Sequence, residues 1–434
     1  MSDKNSVPVV HCDVVIIGGG PSGLSAATEL KKQGIANVII VEREADAGGI
    51  PRHCGHPPFG MREFSRVMTG PGYARALVRR AERCGVDIRL NTSVINIDPD
   101  GKLQVSTPQG ISNIMADRVI IATGVREKPR SARLVSGTRP LAITTVGALQ
   151  SMIYLKHLIP FRRPVIVGSE LVSFSAIWTC IGAGIKPVAM LEKTKSILTF
   201  WPSQWFPRLF RIPLFYQSSI VEILGKDRVT GVVISDQSGQ LRNIKCDGVI
   251  FSGEFLPESS LANKAGLDID PHTGGPVIDQ FGRCSNPGIF ATGNLLRPVE
   301  TAGWCWREGK NTGAWVADDL KGKLPQVKNN LTQSLAQSLA ISLESPLIKL
   351  AVPQRIQMPY DGTGMKHIQI RFLQSCKGQL ILLYGSRVIW RKSLNAKPEA
   401  RVLIPLHILK NISVKDQLHL DFQCADSSSC HLGE

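Results

Sequence analysis

The stretch Asp13–Glu42, DVVIIGGGPSGLSAATELKKQGIANVIIVE, limits what this chain can fold into more than any other. It opens with Val14–Ile17, an apolar, β-branched run of the kind buried on both faces of a parallel sheet. Gly18, Gly20 and Gly23 follow at G-x-G-x-x-G spacing, and Leu24, Ala27 and Leu30 then repeat at helical period. A second apolar run, Val38–Val41, ends on Glu42, 19 residues beyond Gly23. Strand, turn, helix and strand in this order make one half of a doubly wound parallel sheet. Gly18 allows the tight turn, Gly20 lets the backbone approach a pyrophosphate, and Gly23 lets helix and strand pack closely. The free N–H groups and positive end of the helix face phosphates, and Glu42 is placed to accept hydrogen bonds from a ribose. The stretch predicts a dinucleotide site.

At 434 residues the chain has room for two or three domains. Its first residues lack the basic-then-apolar layout of a secretory signal, and no uncharged apolar run reaches about 18 residues. Ten cysteines are scattered with no CxxC, so neither a redox-active dithiol nor a metal-cluster ligand run is visible, and no metal site is expected. These features predict a cytoplasmic protein. The net charge of +16 points to an anionic membrane surface, at the inner face, or to an acidic partner subunit. The basic residues are spread out with no recognition motif, which argues against nucleic acid.

A second fingerprint occupies residues 164–193, with strand, turn, helix and a strand ending at Glu192. Here Gly168 keeps the first position, but Glu170 holds the second and Ser173 the third. A side chain at the second position blocks backbone approach, and a carboxylate there repels a pyrophosphate by roughly 1–4 kcal/mol per charge pair at about 4 Å. The fold is expected to survive while NAD(P) binding is disfavoured. Two strand-to-glycine signatures also stand out. Val119–Arg126 runs into Ala122-Thr123-Gly124, and Ile289–Ala291 runs into Thr292-Gly293-Asn294 before a helix that starts near Thr301 and Ala302.

The loop after Glu42 reads GGIPRHCGHPPFGMREFSRVMTGPGYARAL from Gly48. It resembles the FAD-binding subunits of multi-component bacterial dehydrogenases, including hydrogen cyanide synthase and the opine (octopine/nopaline) dehydrogenases, within the wider two-dinucleotide-fold flavoprotein group. The resemblance covers roughly residues 10–325. It implies FAD bound by Gly18, Gly20, Pro21, Ser22, Gly23, Glu42, Arg43, Gly49, Ile50, Ala122, Thr123, Gly124, Gly293, Asn294, Thr301 and Ala302, with the backbone of Val94 at the adenine. Asn294 stands where the group usually has an aspartate on a ribityl hydroxyl; its amide oxygen can still accept that bond. The helix start at Thr301–Ala302 would face the flavin's pyrimidine edge with its positive end. The resemblance further implies a small-molecule substrate, amino-acid-like or opine-like, a sister subunit, and electron transfer to that partner or to quinone.

Three loop residues are catalytic candidates. His53 and His56 read as a general base or a carboxylate contact, or as hydrogen-bonded loop histidines. Cys54 reads as a reactive thiol or a small packing residue, and the lack of a neighbouring cysteine favours packing. Arg52 reads as facing a phosphate or carboxylate.

The expected fold is α/β: two three-layer, Rossmann-like dinucleotide-binding domains with a small C-terminal β-rich domain. The expected segments are 1–158 and 246–325 for the FAD domain, 159–245 for the second fold, a linker at 326–345, and β structure at 346–434. Aromatic residues and arginines crowd Ser196–Tyr216, which reads as core packing, a partner interface or peripheral membrane contact. Cys424 and Cys430 read as a free-thiol tail.

Overall fold

The computed structural model describes residues 9–199, 205–298, 300–325, 338–398, 400–410, 412 and 415–425. The chain divides into two compact units, one of Met1–Gly49, Ala74–Val125 and Pro257–Glu434, the other of Ile50–Tyr73 and Arg126–Leu256.

In the first unit Val9–Ile17 lies between Val38–Val41 and Gly110–Ile121, parallel to both. Asp87–Arg89 extends this parallel sheet past Val38–Val41, and Ile289–Ala291 pairs with Gly110–Ile121. Ser93–Ile97 and Lys102–Thr107 add an antiparallel meander. Val14, Val15 and Ile16 are fully buried, as a strand in the middle of a covered sheet requires.

Helix Pro21–Lys32 packs along helix Ala302–Leu320. Two glycines make that possible. A Cβ on Gly309 would overlap the Ser22 carbonyl, and one on Gly313 would stand 2.5 Å from the Ala26 carbonyl oxygen. Both contacts advance by four residues together, so the helices run parallel.

The C-terminal strands form two sheets. One has the order Arg355–Gln357, Ser338–Leu343, Leu418–Cys424, Cys376–Tyr384, Arg387–Ala396; the other is Ile348–Val352, His367–Phe372, Val402–Pro405. Phe372, Leu380, Leu420 and Phe422 fill the core of this β-rich region. Gly385, with φ +54°, turns the hairpin between Cys376–Tyr384 and Arg387–Ala396.

In the second unit the parallel sheet runs Leu214–Phe215, Ala189–Leu191, Pro164–Val167, Gly248–Phe251, Ile143–Thr145. Helices Val146–Tyr154 and Leu171–Gly182 pack with it. An antiparallel group, Ser219–Leu224, Gly231–Ser235 and Leu241–Lys245, joins Ser136–Gly137.

These boundaries differ from the expected ones. The second compact unit holds Arg126–Leu256 together with Ile50–Tyr73, a wider set than the 159–245 expected for the second fold. Gly248–Phe251 does not return to the first sheet; it is a fully buried strand in register with Pro164–Val167. An apolar run before glycine looks the same whichever sheet receives it. The β-rich tail groups with the first unit instead of standing apart, since Leu350 and Val352 enter the core built by Val15, Ile17 and Ile121.

Within Ser196–Tyr216, Phe206 packs on Phe174 and stacks on Trp178, while Trp205 is exposed. Phe200, Trp201, most of the expected linker and Cys430 lie outside the described residues. Cys424 is disulfide-bonded, so it is not the free thiol expected. Among the described residues no helix is long and apolar enough to cross a membrane, and no cluster of metal-ligating side chains occurs.

Candidate functional site

The first fingerprint closes as its glycines demand. Gly18 has φ +107°, and a Cβ there would sit 2.6 Å from the Ala122 carbonyl oxygen. A Cβ on Gly23 would overlap the carbonyl of Gly18, so helix and turn touch backbone to backbone. Gly20 is different. A Cβ there meets only the Gly49 Cα, at 4.0 Å, so the space above this position is open. Gly20 also precedes a helix with Pro21 in its first turn and no side-chain cap, leaving the first-turn amides to a ligand. The site fits a pyrophosphate.

Around this turn, Glu42 is buried and accepts the Gly19 N–H through Oε2 at 2.8 Å and the Glu44 N–H through Oε1 at 3.0 Å. The two amides fix its carboxylate and leave further lone pairs for a ribose. Arg43 is exposed and pairs with Glu44 at 3.8 Å. Gly49 packs on Gly20 with φ +62°, and Ile50 is exposed. Val94 lies in the meander paired with Val105. Ala122 is buried, Thr123 Oγ1 donates to the Glu258 carbonyl at 2.8 Å, and Gly124 accepts the Glu258 N–H at 2.9 Å.

The second helix start lies farther along. Gly309, not Ala302, sits against Ser22, so helix Ala302–Leu320 begins about 10 Å beyond the start of the first, at ~1.5 Å per residue. Thr301 is its exposed N-cap residue and makes no side-chain cap. One ligand can therefore meet both helix starts. Gly293 gives its N–H to Glu308 Oε2 at 3.1 Å. Asn294 is engaged with the protein: its Oδ1 accepts the Glu300 N–H at 2.9 Å, and its Nδ2 donates to the Glu300 carbonyl at 3.2 Å. Its amide oxygen reaches a ribityl hydroxyl only through its second lone pair.

Glu300 itself is the centre of a buried ion network. Arg371 Nη2 stands 2.7 Å from its Oε1, Arg401 Nη2 3.0 Å from its Oε2, and Arg297 Nε 3.6 Å from its Oε1. Burial alone would raise its carboxyl, but these three guanidiniums outweigh that and hold it below the usual carboxylate range.

The loop candidates lie in the second unit. Cys54 is buried, 3.5 Å from both the Ile50 carbonyl and Gln150 Oε1, and burial pushes its thiol up to about 12. A thiol so placed stays protonated at neutral pH, as suits a packing residue. His56 Nδ1 lies 3.0 Å from the Pro57 carbonyl, with its ring beside Phe59. His53 and Arg52 are half-buried. Beside His53 is Gly147, whose N–H donates to Glu127 Oε2 at 2.6 Å. Burial raises the Glu127 carboxyl, against the amides of Gly147 and Val146 and the Thr145 hydroxyl, which lower it.

The second fingerprint repeats the first 150 positions later: Gly168 for Gly18, Ser169 for Gly19, Glu170 for Gly20, Ser173 for Gly23 and Glu192 for Glu42. The backbone is the same, with φ +109° at Gly168. Glu192 again receives groups from the turn, here the Ser169 hydroxyl and the Thr194 N–H. The cradle, however, is filled. Glu170 folds its carboxylate back over the turn, where Ser252 Oγ lies 3.2 Å and Ser173 Oγ 3.3 Å from its Oε2. A Cβ on Gly253 would overlap that carboxylate. A pyrophosphate at this turn would meet the Glu170 carboxylate.

Sequence reading placed the glycines and both acids. It did not find Glu308, Arg297, Arg371, Arg401 or Glu127. The Gly309-x-x-x-Gly313 spacing was a readable sign of close helix contact; nothing in the sequence linked Glu300 to two arginines about 70 and 100 positions away.

The family model "Pyridine nucleotide-disulphide oxidoreductase" matches residues 12–309. An opine oxidase subunit of Rhizobium meliloti is 25% identical over 313 residues, covering 65% of this chain and 58% of that protein. The hydrogen cyanide synthase subunit HcnB of Pseudomonas aeruginosa is 24% identical over 285 residues, 58% of this chain and 59% of that one. The chain thus spans less than two thirds of these relatives' length. Thioredoxin reductase of T. acidophilum is similar in fold, with TM-score 0.59 and 22% identity over 71% of this chain and 98% of that structure.

Proposed function

This chain belongs to the pyridine nucleotide-disulphide oxidoreductase family and is an FAD-dependent oxidoreductase, and from that premise we propose that it is a dehydrogenase, or the flavin subunit of one, that does not take its electrons from NAD(P)H. The observation that carries this reading is the Glu170 carboxylate seated in the second phosphate cradle. Disulfide reduction is disfavoured on separate grounds: Cys54 is buried and protonated, and it has no cysteine partner among the described residues.

The first cradle would hold FAD through Gly18, Gly20, Pro21, Ser22 and Gly23, with Glu42 at the ribose and the Thr301–Ala302 helix start at the ring. FAD when bound supplies the acceptor for a hydride equivalent from substrate, whose electrons then pass to a partner protein or quinone. The chain's own residues bind and orient it. Glu308 and Asn294 fix the Gly293 turn and the helix start. The similarity to HcnB and to the opine oxidase subunit supports an amino-acid-like or opine-like substrate and a sister chain in a larger enzyme.

The test is anaerobic. Purified protein, alone and with its partner, is mixed with NADH, NADPH and a panel of amino acids, imino acids and opines while flavin absorbance is followed. Bleaching by one of the acids and not by either nicotinamide is expected. Rapid bleaching by NADH or NADPH overturns the proposal.

A further inference from the structure

The C-terminal β-rich region has no catalytic motif, yet it reaches the flavin helix through charge. Strand His367–Phe372 pairs antiparallel with Val402–Pro405 in the register Ile370↔Val402. Arg371 comes next on the first strand and Arg401 immediately precedes the second, and both guanidiniums are directed at one carboxylate. Gln369, two residues before Arg371, shares its face. The three side chains make a socket for a carboxylate, and Glu300 fills it: Arg371 Nη2 and Gln369 Nε2 reach its Oε1 at 2.7 and 2.6 Å, and Arg401 Nη2 reaches its Oε2 at 3.0 Å.

Glu300 is the residue before the N-cap of helix Ala302–Leu320, and its backbone is clamped on both sides by Asn294. The Arg401 guanidinium also lies 3.6 Å over the ring of Trp304, in the first turn of the same helix. A staple alone would be better made of apolar groups, because buried ion pairs stabilise little against hydrophobic replacements of the same size. The region already has such attachment, with Leu350 and Val352 in the first unit's core. What the ion network adds is charge at the helix start.

We propose that the Arg371–Arg401–Gln369 socket is a positioning device for the flavin site: by holding Glu300 it fixes Asn294 and the start of helix Ala302–Leu320, and so sets FAD affinity and the potential of the bound flavin. This rests on the FAD reading given above. The β-rich region is then part of the redox machinery rather than an appended surface.

The experiment uses the full chain purified with its FAD. Midpoint potential, FAD dissociation constant, and affinity for sulfite, which adds to electron-poor flavins, are measured for the parent, R401Q, R401K and E300Q. Removing a positive charge near the helix start lowers the potential and weakens sulfite binding several-fold in R401Q, with recovery in R401K. Removing the negative charge in E300Q moves the potential the other way. FAD binds more weakly in R401Q and E300Q. Equal potentials across the set, or shifts of R401Q and E300Q in the same direction that follow a common loss of melting temperature, overturn the proposal and leave a staple. Should E300Q fail to fold, R401Q against R401K decides the matter. A parent that binds no FAD refutes the earlier reading instead.

Discussion

The two dinucleotide folds of this chain are an internal experiment. At the first glycine they agree, with φ +107° at Gly18 and +109° at Gly168. At the strand end they agree again, with Glu42 and Glu192 each taking bonds from the turn and from the residue two positions on. They part at the second position, where Gly20 leaves open space and Glu170 brings a carboxylate into the cradle. The difference separates two demands that the fingerprint usually hides. The first glycine is required by the fold, because only positive φ makes the turn. The second is required by the ligand, because the backbone must be approached. The third lies between: Gly23 presses on Gly18, whereas the second fold accepts Ser173, whose hydroxyl lies 2.5 Å from that of Ser252.

The largest effect should come from carrying the second fold's residue into the first. Gly20→Glu puts a carboxylate where the pyrophosphate binds, so the purified protein should be colourless and its affinity for FAD should fall by at least about 100-fold, roughly 3 kcal/mol. Absorbance at the flavin bands and titration with FAD check this. A yellow Gly20→Glu protein with parent affinity would break the comparison, because the open position would then not be the ligand's.

The reverse exchange should be smaller, since it removes one obstacle and does not build a site. Glu170→Gly, alone or with Ser173→Gly, should raise affinity for NADH or NADPH by about 10- to 100-fold, the size of one relieved charge repulsion. Nucleotide binding is read by fluorescence quenching or calorimetry, independently of any turnover. No gain in the double variant would mean that the crevice lacks more than the phosphate seat.

How much of this could be read from the sequence follows the same division. Turn glycines, the strand runs and the acids at Glu42 and Glu192 are local, set by spacing within about 30 residues. Glu170 was readable as an obstacle, but its contact with Ser252 and Gly253 was not, because those residues come more than 80 positions later. Strand membership failed for a similar reason. Gly248–Phe251 carries no mark of which parallel sheet it joins, and Ile143–Thr145 is too short to be noticed. Glu300 carries no local mark of its role, since its partners Arg371 and Arg401 come from the C-terminal β-rich region, about 70 and 100 positions later.

A moderate effect is expected where the first fold differs from the second in what covers its fingerprint helix. Pro21–Lys32 is pressed by Gly309 and Gly313, while Leu171–Gly182 packs with larger side chains such as Val146, Leu149 and Phe206. Gly309→Ala drives a methyl group into the Ser22 carbonyl, and backbone cannot step aside as a side-chain tip can. The cost should be about 1–3 kcal/mol, as for other overpacked sites. A lower melting temperature and faster FAD release are the readouts. An unchanged release rate would mean that helix contact and cofactor seat are uncoupled.

The smallest effect sharpens the comparison at the helix starts. Each unit keeps a largely buried glutamate near one, with opposite consequences. Glu300 is held below the ordinary value of 4.5 because three arginines outweigh its burial, and Glu127 is raised above 4.5 because burial outweighs the amides of Gly147 and Val146. A depressed carboxyl stabilises fully above its unfolded value and loses that contribution as the pH falls through its folded one. A raised carboxyl does the reverse: its contribution is whole below about 4.5 and fades as the pH rises through its folded value. Glu127→Gln should therefore flatten the decline in melting temperature that sets in as the pH rises above about 4.5, while E300Q should flatten the loss below about pH 4.5. The Glu127 effect should be under about 1 kcal/mol, because the glutamine amide can still accept the helix N–H groups and only the charge is removed. Thermal melts across the pH range decide it. If both variants flatten the same limb, arginine partnership is not what separates the two glutamates.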